Sequence, residues 1–364
     1  MSPKSALANI RNLHIVRGLA ALLVVIFHAK YVFWIGGENY RNQVGFHDFL
    51  DYFIFGLDML SSCGKECVIL FFVLSAFVIK HTSNHFHSKW GDFYKLRLLR
   101  IYLPFIFSLI FSIVLLFICV RFVNPDINTD HLRHYNSRIF AAVNDFSIKQ
   151  VFFTFFFIQD GEFAGANYAY WSLGHELLFY LFFPLYNRLS AKYIFLLATS
   201  FILIFLASGY EVFYYQFFFL GGLLLYQYFS MRSQKPLIGN KTFYSFLLLF
   251  LFVAVNLANK LVSEKFSDIV TLLYCIFIFD YILYYVNKSP HVLIKLADMS
   301  FTLYLNHLPL LLLGYSFLTL YTGQLVFVSR LPYYAGVLVA LLLSIPIYQL
   351  IEKPSIKLLK KLRG

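Results

Sequence analysis

Residues 17–28 read RGLAALLVVIFH, an apolar run that begins with an arginine and ends with a histidine. With its flanks the run extends over 13–34, long enough for a helix to cross a hydrocarbon core of about 30 Å. Burying either ionisable group in hydrocarbon costs several kcal/mol unless a partner or water satisfies it. The run therefore predicts a membrane helix whose two polar ends have a dedicated partner or a function.

Similar apolar runs recur along the chain, which is 60% hydrophobic, 21% aromatic and only 13% charged over 364 residues. This composition lies far from that of soluble domains and predicts an all-α, polytopic membrane helical bundle. We expect a single integral membrane domain over 1–364, without a fused extracytoplasmic domain. About ten transmembrane helices are predicted, over 13–34, 67–80, 101–123, 171–188, 192–208, 211–229, 243–259, 268–286, 300–320 and 333–351.

The net charge of +12 comes largely from basic residues that flank the predicted helices. Most of the 30 lysines and arginines lie on one side if both termini are cytoplasmic, as the positive-inside rule favours. Because this distribution explains the basic excess, we expect no nucleic-acid partner.

Three other segments stand apart from the predicted spans. Two apolar stretches, 50–60 and 150–158, are about ten residues long, which suits re-entrant or interfacial pieces. The connection 122–170 is the one long polar segment, and such loops are usually functional lids or disordered.

Arg17 and His28 are eleven residues apart, close to three helical turns. They project from one face of the first helix with a rise of about 16 Å between them. Arg17 at the cytoplasmic end is either a positive-inside anchor or a functional group. His28, about 22 Å above the cytoplasmic side, is either a satisfied core histidine or a functional base.

The fourth helix carries a carboxylate in WSLGHELLFY, residues 171–180. If this helix enters from outside at Trp171, Glu176 lies about 7 Å deep, which matches the depth of His28. A carboxylate at that level can orient an imidazole and raise its basicity, as a general base requires. Ser172 and Tyr180 share the face of Glu176, and with Trp171 they are candidate substrate contacts.

On the cytoplasmic side, YKLRLLRIYLP places Arg97 and Arg100 one turn apart at the start of the third helix. Both are either solvated anchors or a clamp for phosphate groups, which guanidinium forks suit well. Arg17 is expected at the same level and completes the candidate donor site.

The ninth helix begins with SFTLYLNHLPL, which places Tyr304 and His307 on one face. His307, about 10 Å above the cytoplasmic surface, is a second proton carrier, a ligand contact or a packed histidine. Ser75 in FFVLSAFVI is a further candidate substrate contact, although helix packing explains a small residue there equally well.

Six motifs occur in the order RGLAALLVVIFH, FFVLSAFVI, LRLLRIYLP, YWSLGHELLFYLFFP, SFTLYLNH and IEKP. In this order the chain resembles the acyltransferase-3 family of bacterial integral membrane O-acyltransferases. The resemblance implies a multi-pass protein of the bacterial cytoplasmic (inner) membrane, in contact with membrane lipids. It also implies acetyl-CoA as the cytoplasmic acyl donor and a hydroxyl of a surface polysaccharide or lipid-linked glycan as acceptor.

In that family the residues matching Arg17 and His28 are essential, and the histidine is the catalytic base. The arginine pair matching Arg97 and Arg100 is also tied to function. Ala76 stands where the family usually has glycine after the serine.

We therefore expect His28, oriented by Glu176, to take a proton from the acceptor hydroxyl as that hydroxyl attacks the thioester. Direct transfer and an acyl-histidine are both compatible with these residues. No metal is expected, because a thioester is already activated and a sugar alcohol needs mainly base assistance and positioning. The alternative is a lipid-linked glycan transporter, for which repeated halves and discontinuous helices are typical.

Overall fold

The computed structural model describes residues 6–83, 90–128, 134–232 and 235–363. Within these ranges the chain is helical, and its β-type pairing is limited to an isolated bridge between Trp34 and Phe327. The all-α class predicted from composition is confirmed. The α-helices are α1 (His14–Phe33), α2 (Gly37–Gln43), α3 (Phe49–Leu60), α4 (Gly64–Ser83), α5 (Trp90–Ile118), α6 (His134–Asn144), α7 (Ile148–Phe155), α8 (Trp171–Tyr186), α9 (Ala191–Ser208), α10 (Glu211–Met231), α11 (Lys241–Leu261), α12 (Glu264–Tyr285), α13 (His291–Asp298), α14 (Ser300–Thr322), α15 (Leu331–Ile347) and α16 (Lys353–Arg363).

Eight helical segments of the described chain are long and apolar enough to cross a membrane. They coincide with eight of the ten predicted spans, so the protein is a multi-pass membrane protein. The other two predicted spans are also helices, α8 and α10, but are not among the eight. The eight are Asn9–Phe33, Gly64–Ser83, Trp90–Val123, Ala191–Ser208, Lys241–Leu261, Glu264–Tyr285, Ser300–Thr322 and Leu331–Leu362.

The chain divides into two compact units. The first unit comprises Met1–Ala20, Cys63–Tyr94 and His175–Asp298. The second unit comprises Ala21–Ser62, Lys95–Gly174 and Met299–Gly364. The expectation of a single domain over 1–364 stays a prediction.

Within the first unit, α4 and α10 approach closely at a glycine. A Cβ added at Gly222 would lie 2.3 Å from the carbonyl oxygen of Val73 and 2.9 Å from the Cβ of Ala76. The space for this helix crossing is therefore provided by a glycine on α10. It lies opposite Ala76 on α4, the position where the family that the chain resembles usually has glycine. Small residues at helix crossings are typical of membrane bundles.

We expect Gly222→Ala to lower the free energy of unfolding by about 1–3 kcal/mol, because the added methyl group meets backbone atoms that cannot move aside cheaply. A lower midpoint of thermal unfolding in detergent would show the effect. Gly56→Ala is the matched control, since a Cβ on this α3 glycine meets nothing within 4 Å. Equal midpoints for Gly222→Ala and the wild type would contradict this packing account.

In the second unit, the chain before α8 is fixed against α5 and α14. It forms two short 3-10 turns, Ala164–Ala166 and Tyr168–Tyr170. Gly165 has a positive φ of 77°, and a Cβ there would lie 2.5 Å from the Cβ of Ser112. Asn167 Nδ2 donates to the Leu305 carbonyl at 2.8 Å, and the Tyr170 hydroxyl lies 3.0 Å from Ser112 Oγ. The described part of the 122–170 connection is therefore an ordered structure carrying α6, α7 and these turns; residues 129–133 lie outside the described residues.

Candidate active site

His28 on α1 and His307 on α14 form a direct pair inside the second unit. His307 Nε2 lies 2.8 Å from His28 Nδ1, and the two rings are stacked with centroids 4.9 Å apart. His307 is fully buried, whereas His28 keeps part of its surface exposed. The two histidines were separate candidates in the sequence, and the fold brings them together.

The carbonyl partners of His307 define the tautomers of this pair. His307 Nδ1 lies 2.8 Å from the Tyr304 carbonyl and 3.2 Å from the Leu303 carbonyl. Because a carbonyl only accepts, His307 Nδ1 carries a proton, and the Nε2 of neutral His307 is an acceptor. His28 Nδ1 therefore donates to it, which leaves the lone pair of neutral His28 on Nε2. This is the form of an imidazole that can act as a base through Nε2.

The contact corrects the depths predicted for the two histidines. Counting residues from the helix starts placed His28 about 22 Å and His307 about 10 Å above the cytoplasmic surface, yet their rings are in contact. Such a count gives depth only if both helices begin in one plane. Both helices begin within one residue of their predicted starts, at His14 and Ser300, so the ring contact shows that this assumption does not hold for them.

Two of the candidate substrate contacts, Ser172 on α8 and Tyr304 on α14, bond to each other within the second unit. The Tyr304 hydroxyl is 2.7 Å from Ser172 Oγ and donates to the Ala169 carbonyl at 3.0 Å. Both side chains are buried, so in this state they hold the start of α8 to α14. Trp171 is the half-buried first residue of α8. Roles for these three residues in substrate binding stay predictions.

Glu176 has its hydrogen bonds inside the first unit. Ser75 Oγ on α4 donates to Glu176 Oε1 at 2.8 Å, and the Tyr180 hydroxyl donates to the same oxygen. Glu176 and Tyr180 therefore share one face of α8, as their spacing of four residues predicted, and they are hydrogen-bonded to each other. The pairing of Glu176 with His28 stays a prediction. His175, the residue before Glu176 on α8, packs against Phe72 and Tyr215.

Arg17 holds the end of another helix within the first unit. Its Nη2 donates to the carbonyl of Ala297 at 3.0 Å, in the last turn of α13. A cation at a helix C-terminus is favourable, because the last carbonyls carry partial negative charge. The neighbouring Gly18 permits this contact, since a Cβ there would lie 2.8 Å from the Ala297 nitrogen. A role for Arg17 in donor binding stays a prediction.

The arginine pair lies further inside its helix than the sequence suggested. The prediction placed both residues at the start of the third helix, but α5 begins at Trp90, so Arg97 and Arg100 lie two to three turns in. The sequence prediction started this span where the apolar run begins. It therefore left out the first turns of the helix, which are polar. Arg97 is half-buried and Arg100 is exposed.

Sequence reasoning missed a group of side chains around His28 in the second unit. The Tyr168 ring makes an edge contact with His28, with centroids 5.2 Å apart, and Arg138 Cζ lies 4.5 Å from the centroid of the same ring. Arg138 Nη1 pairs with Glu162 Oε1 at 2.6 Å. These residues come from the 122–170 connection, and its length was the one sequence signal that pointed to them.

The fold defines a polytopic, all-helical membrane protein with a histidine pair on two of its spans. A scan against protein families matches the model of the acyltransferase domain over residues 10–349, nearly the whole chain. The chain therefore belongs to the acyltransferase-3 family. Comparisons with curated proteins and with solved structures gave no match.

Proposed function

We propose that this membrane acyltransferase moves an acetyl group from cytoplasmic acetyl-CoA to a hydroxyl of a surface polysaccharide or a lipid-linked glycan. His28 is the general base. The observation that carries the proposal is the hydrogen bond of His28 Nδ1 with His307 Nε2, combined with the carbonyl partners of His307 Nδ1. Together they favour a His28 with its lone pair on Nε2.

In the proposed step, His28 Nε2 takes the proton of the acceptor hydroxyl while the hydroxyl oxygen forms a bond to the thioester carbonyl carbon. The carbon–sulfur bond then breaks, and the CoA thiolate takes the proton back from His28. While His28 is protonated, its Nδ1–H donates to the neutral His307, which stabilises the imidazolium. His307 is a positioning residue in this scheme, since it acts through His28.

Arg97 and Arg100 are proposed to hold the phosphates of the donor, and a contribution of Arg17 stays a prediction from the sequence. Guanidinium groups bind phosphate oxygens in a bidentate manner and stay charged under all physiological conditions. Arg97 is half-buried and Arg100 is exposed, so part of each side chain is accessible to a ligand. The expectation that Glu176 raises the basicity of His28 remains a prediction from the sequence.

Purified protein in proteoliposomes, given acetyl-CoA labelled in the acetyl group and lipid-linked glycans from a bacterial membrane extract, tests the function. We expect label in the glycan fraction, with a product heavier by the mass of one acetyl substituent. A lipid-linked glycan transporter, the alternative function, would leave the label in acetyl-CoA while glycan moved across the vesicle membrane. That outcome would refute the proposed transferase.

A further inference from the structure

A group of four side chains lies beside His28 in the second unit and has no role in the step described above. They are Tyr31 on α1, Arg138 on α6, Glu162 in the segment before the first 3-10 turn, and Tyr168 in the second turn. We propose that these four residues form the subsite that binds the sugar ring of the acceptor. This inference rests on the proposed function and names the residues that select its acceptor.

The four residues are mutually linked and adjacent to the proposed base. Tyr31 lies one helical turn beyond His28 on α1, on the side away from Arg17. Its ring centroid is 6.1 Å from that of Tyr168, which itself contacts His28. Arg138 packs over the Tyr168 ring and also interacts with Tyr31. A ligand held by this group would present its hydroxyls close to the imidazole.

The composition of the group fits a neutral, hydroxyl-rich ring. The two tyrosine rings are half-buried, so they offer apolar surface to the C–H faces of a sugar. Arg138 supplies donors and Glu162 supplies acceptors, and both side chains keep part of their surface exposed, at 25% and 17%. A hydroxyl can both donate and accept, so it suits a site that offers both kinds of group.

The same pair argues against the donor as occupant. Glu162 Oε1 lies 2.6 Å from Arg138 Nη1, so the negative charge of Glu162 balances the positive charge of Arg138. The group therefore gives no net electrostatic attraction to phosphate. Burial acts to lower the pKa of Arg138, but Glu162 raises it above its ordinary value, so the guanidinium stays charged. Burial also raises the pKa of Tyr168 well above its usual range, which keeps its hydroxyl a neutral donor. A charged pair with neutral phenols is equally unsuited to an acyl chain.

Kinetic constants for acceptor and donor, measured separately, test the subsite. The probes are a panel of soluble methyl hexosides and a lipid-linked glycan fraction, each with labelled acetyl-CoA. We expect Arg138→Gln/Glu162→Gln, which removes both charges together, to raise the acceptor KM about tenfold or more, as for lost hydrogen bonds to charged groups. Tyr168→Ala should raise it as well, and Tyr168→Phe less. The KM for acetyl-CoA should stay unchanged in all three.

The matched controls are Arg121→Gln and Tyr321→Ala, which remove an arginine and a tyrosine at exposed positions of the second unit. Unchanged acceptor KM values in the subsite variants, with active wild type, would overturn the subsite and leave the proposed function standing. A rise seen only with the lipid-linked acceptor would also overturn it, because the residues would then act on the lipid rather than on the sugar ring. A wild type that transfers acetyl to no acceptor would refute the proposed function itself.

Discussion

We expect the replacement of His28 with glutamine to lower the turnover number for acetyl transfer by about 10²–10⁴-fold, the usual contribution of a positioned general base. Glutamine keeps polarity and similar size, but its amide has no basic nitrogen at neutral pH. The KM for acetyl-CoA is expected to stay close to the wild-type value, because the proposed role of His28 is proton transfer and not donor binding. Initial rates of label transfer in proteoliposomes measure both constants.

His291→Gln is the matched control for this experiment, because His291 is an exposed residue at the start of α13. It should transfer acetyl at the wild-type rate. Thermal unfolding of both variants in detergent shows whether they remain folded. Full activity in folded His28→Gln would exclude His28 as the base.

We expect the replacement of His307 with leucine to lower the turnover number by about 10–150-fold, the range for losing a hydrogen bond to a charged group. The physical reason is the acceptor at His307 Nε2, which lies 2.8 Å from His28 Nδ1 and would stabilise the imidazolium. Without it, His28 is free to adopt the other tautomer, with its proton on Nε2, and that form cannot take a proton there.

His307→Gln separates this positioning role from simple packing. Glutamine can place its amide oxygen near His28 Nδ1, so part of the lost turnover should return, and the acetyl-CoA KM should not change in either variant. If His307→Gln is as slow as His307→Leu while both unfold at the wild-type temperature, the hydrogen bond to His28 has no part in catalysis.

Much of the fold could be predicted because apolar run length determines membrane helices. In the eight confirmed spans, the length and hydropathy of the run were sufficient to predict a membrane helix. The start of α5 was missed because its first turns, WGDFYKLRLLR, are polar, and a span predicted from hydropathy excludes polar residues. Their helix propensity is too weak a signal to extend the predicted helix. Short segments such as α3 and α7 were recognised as apolar pieces too short to span.

The site was harder to predict, because it depends on which helix faces contact each other. His28 and His307 were both candidates, but they are 279 residues apart, and periodicity contains no information on the register between such helices. Depth counting also failed for this pair, since it assumes that helices begin in one plane. Arg138, Glu162 and Tyr168 carry no local motif, so only tertiary structure places them beside His28.

A single-turnover experiment tests most directly whether His28 takes the acceptor proton. Labelled acetyl-CoA is first bound to the protein in proteoliposomes, acceptor glycan is then added, and label in the glycan is followed with time. The account predicts rapid transfer by the wild type, and bound but untransferred label in His28→Gln. Equal single-turnover rates for the two proteins would contradict it.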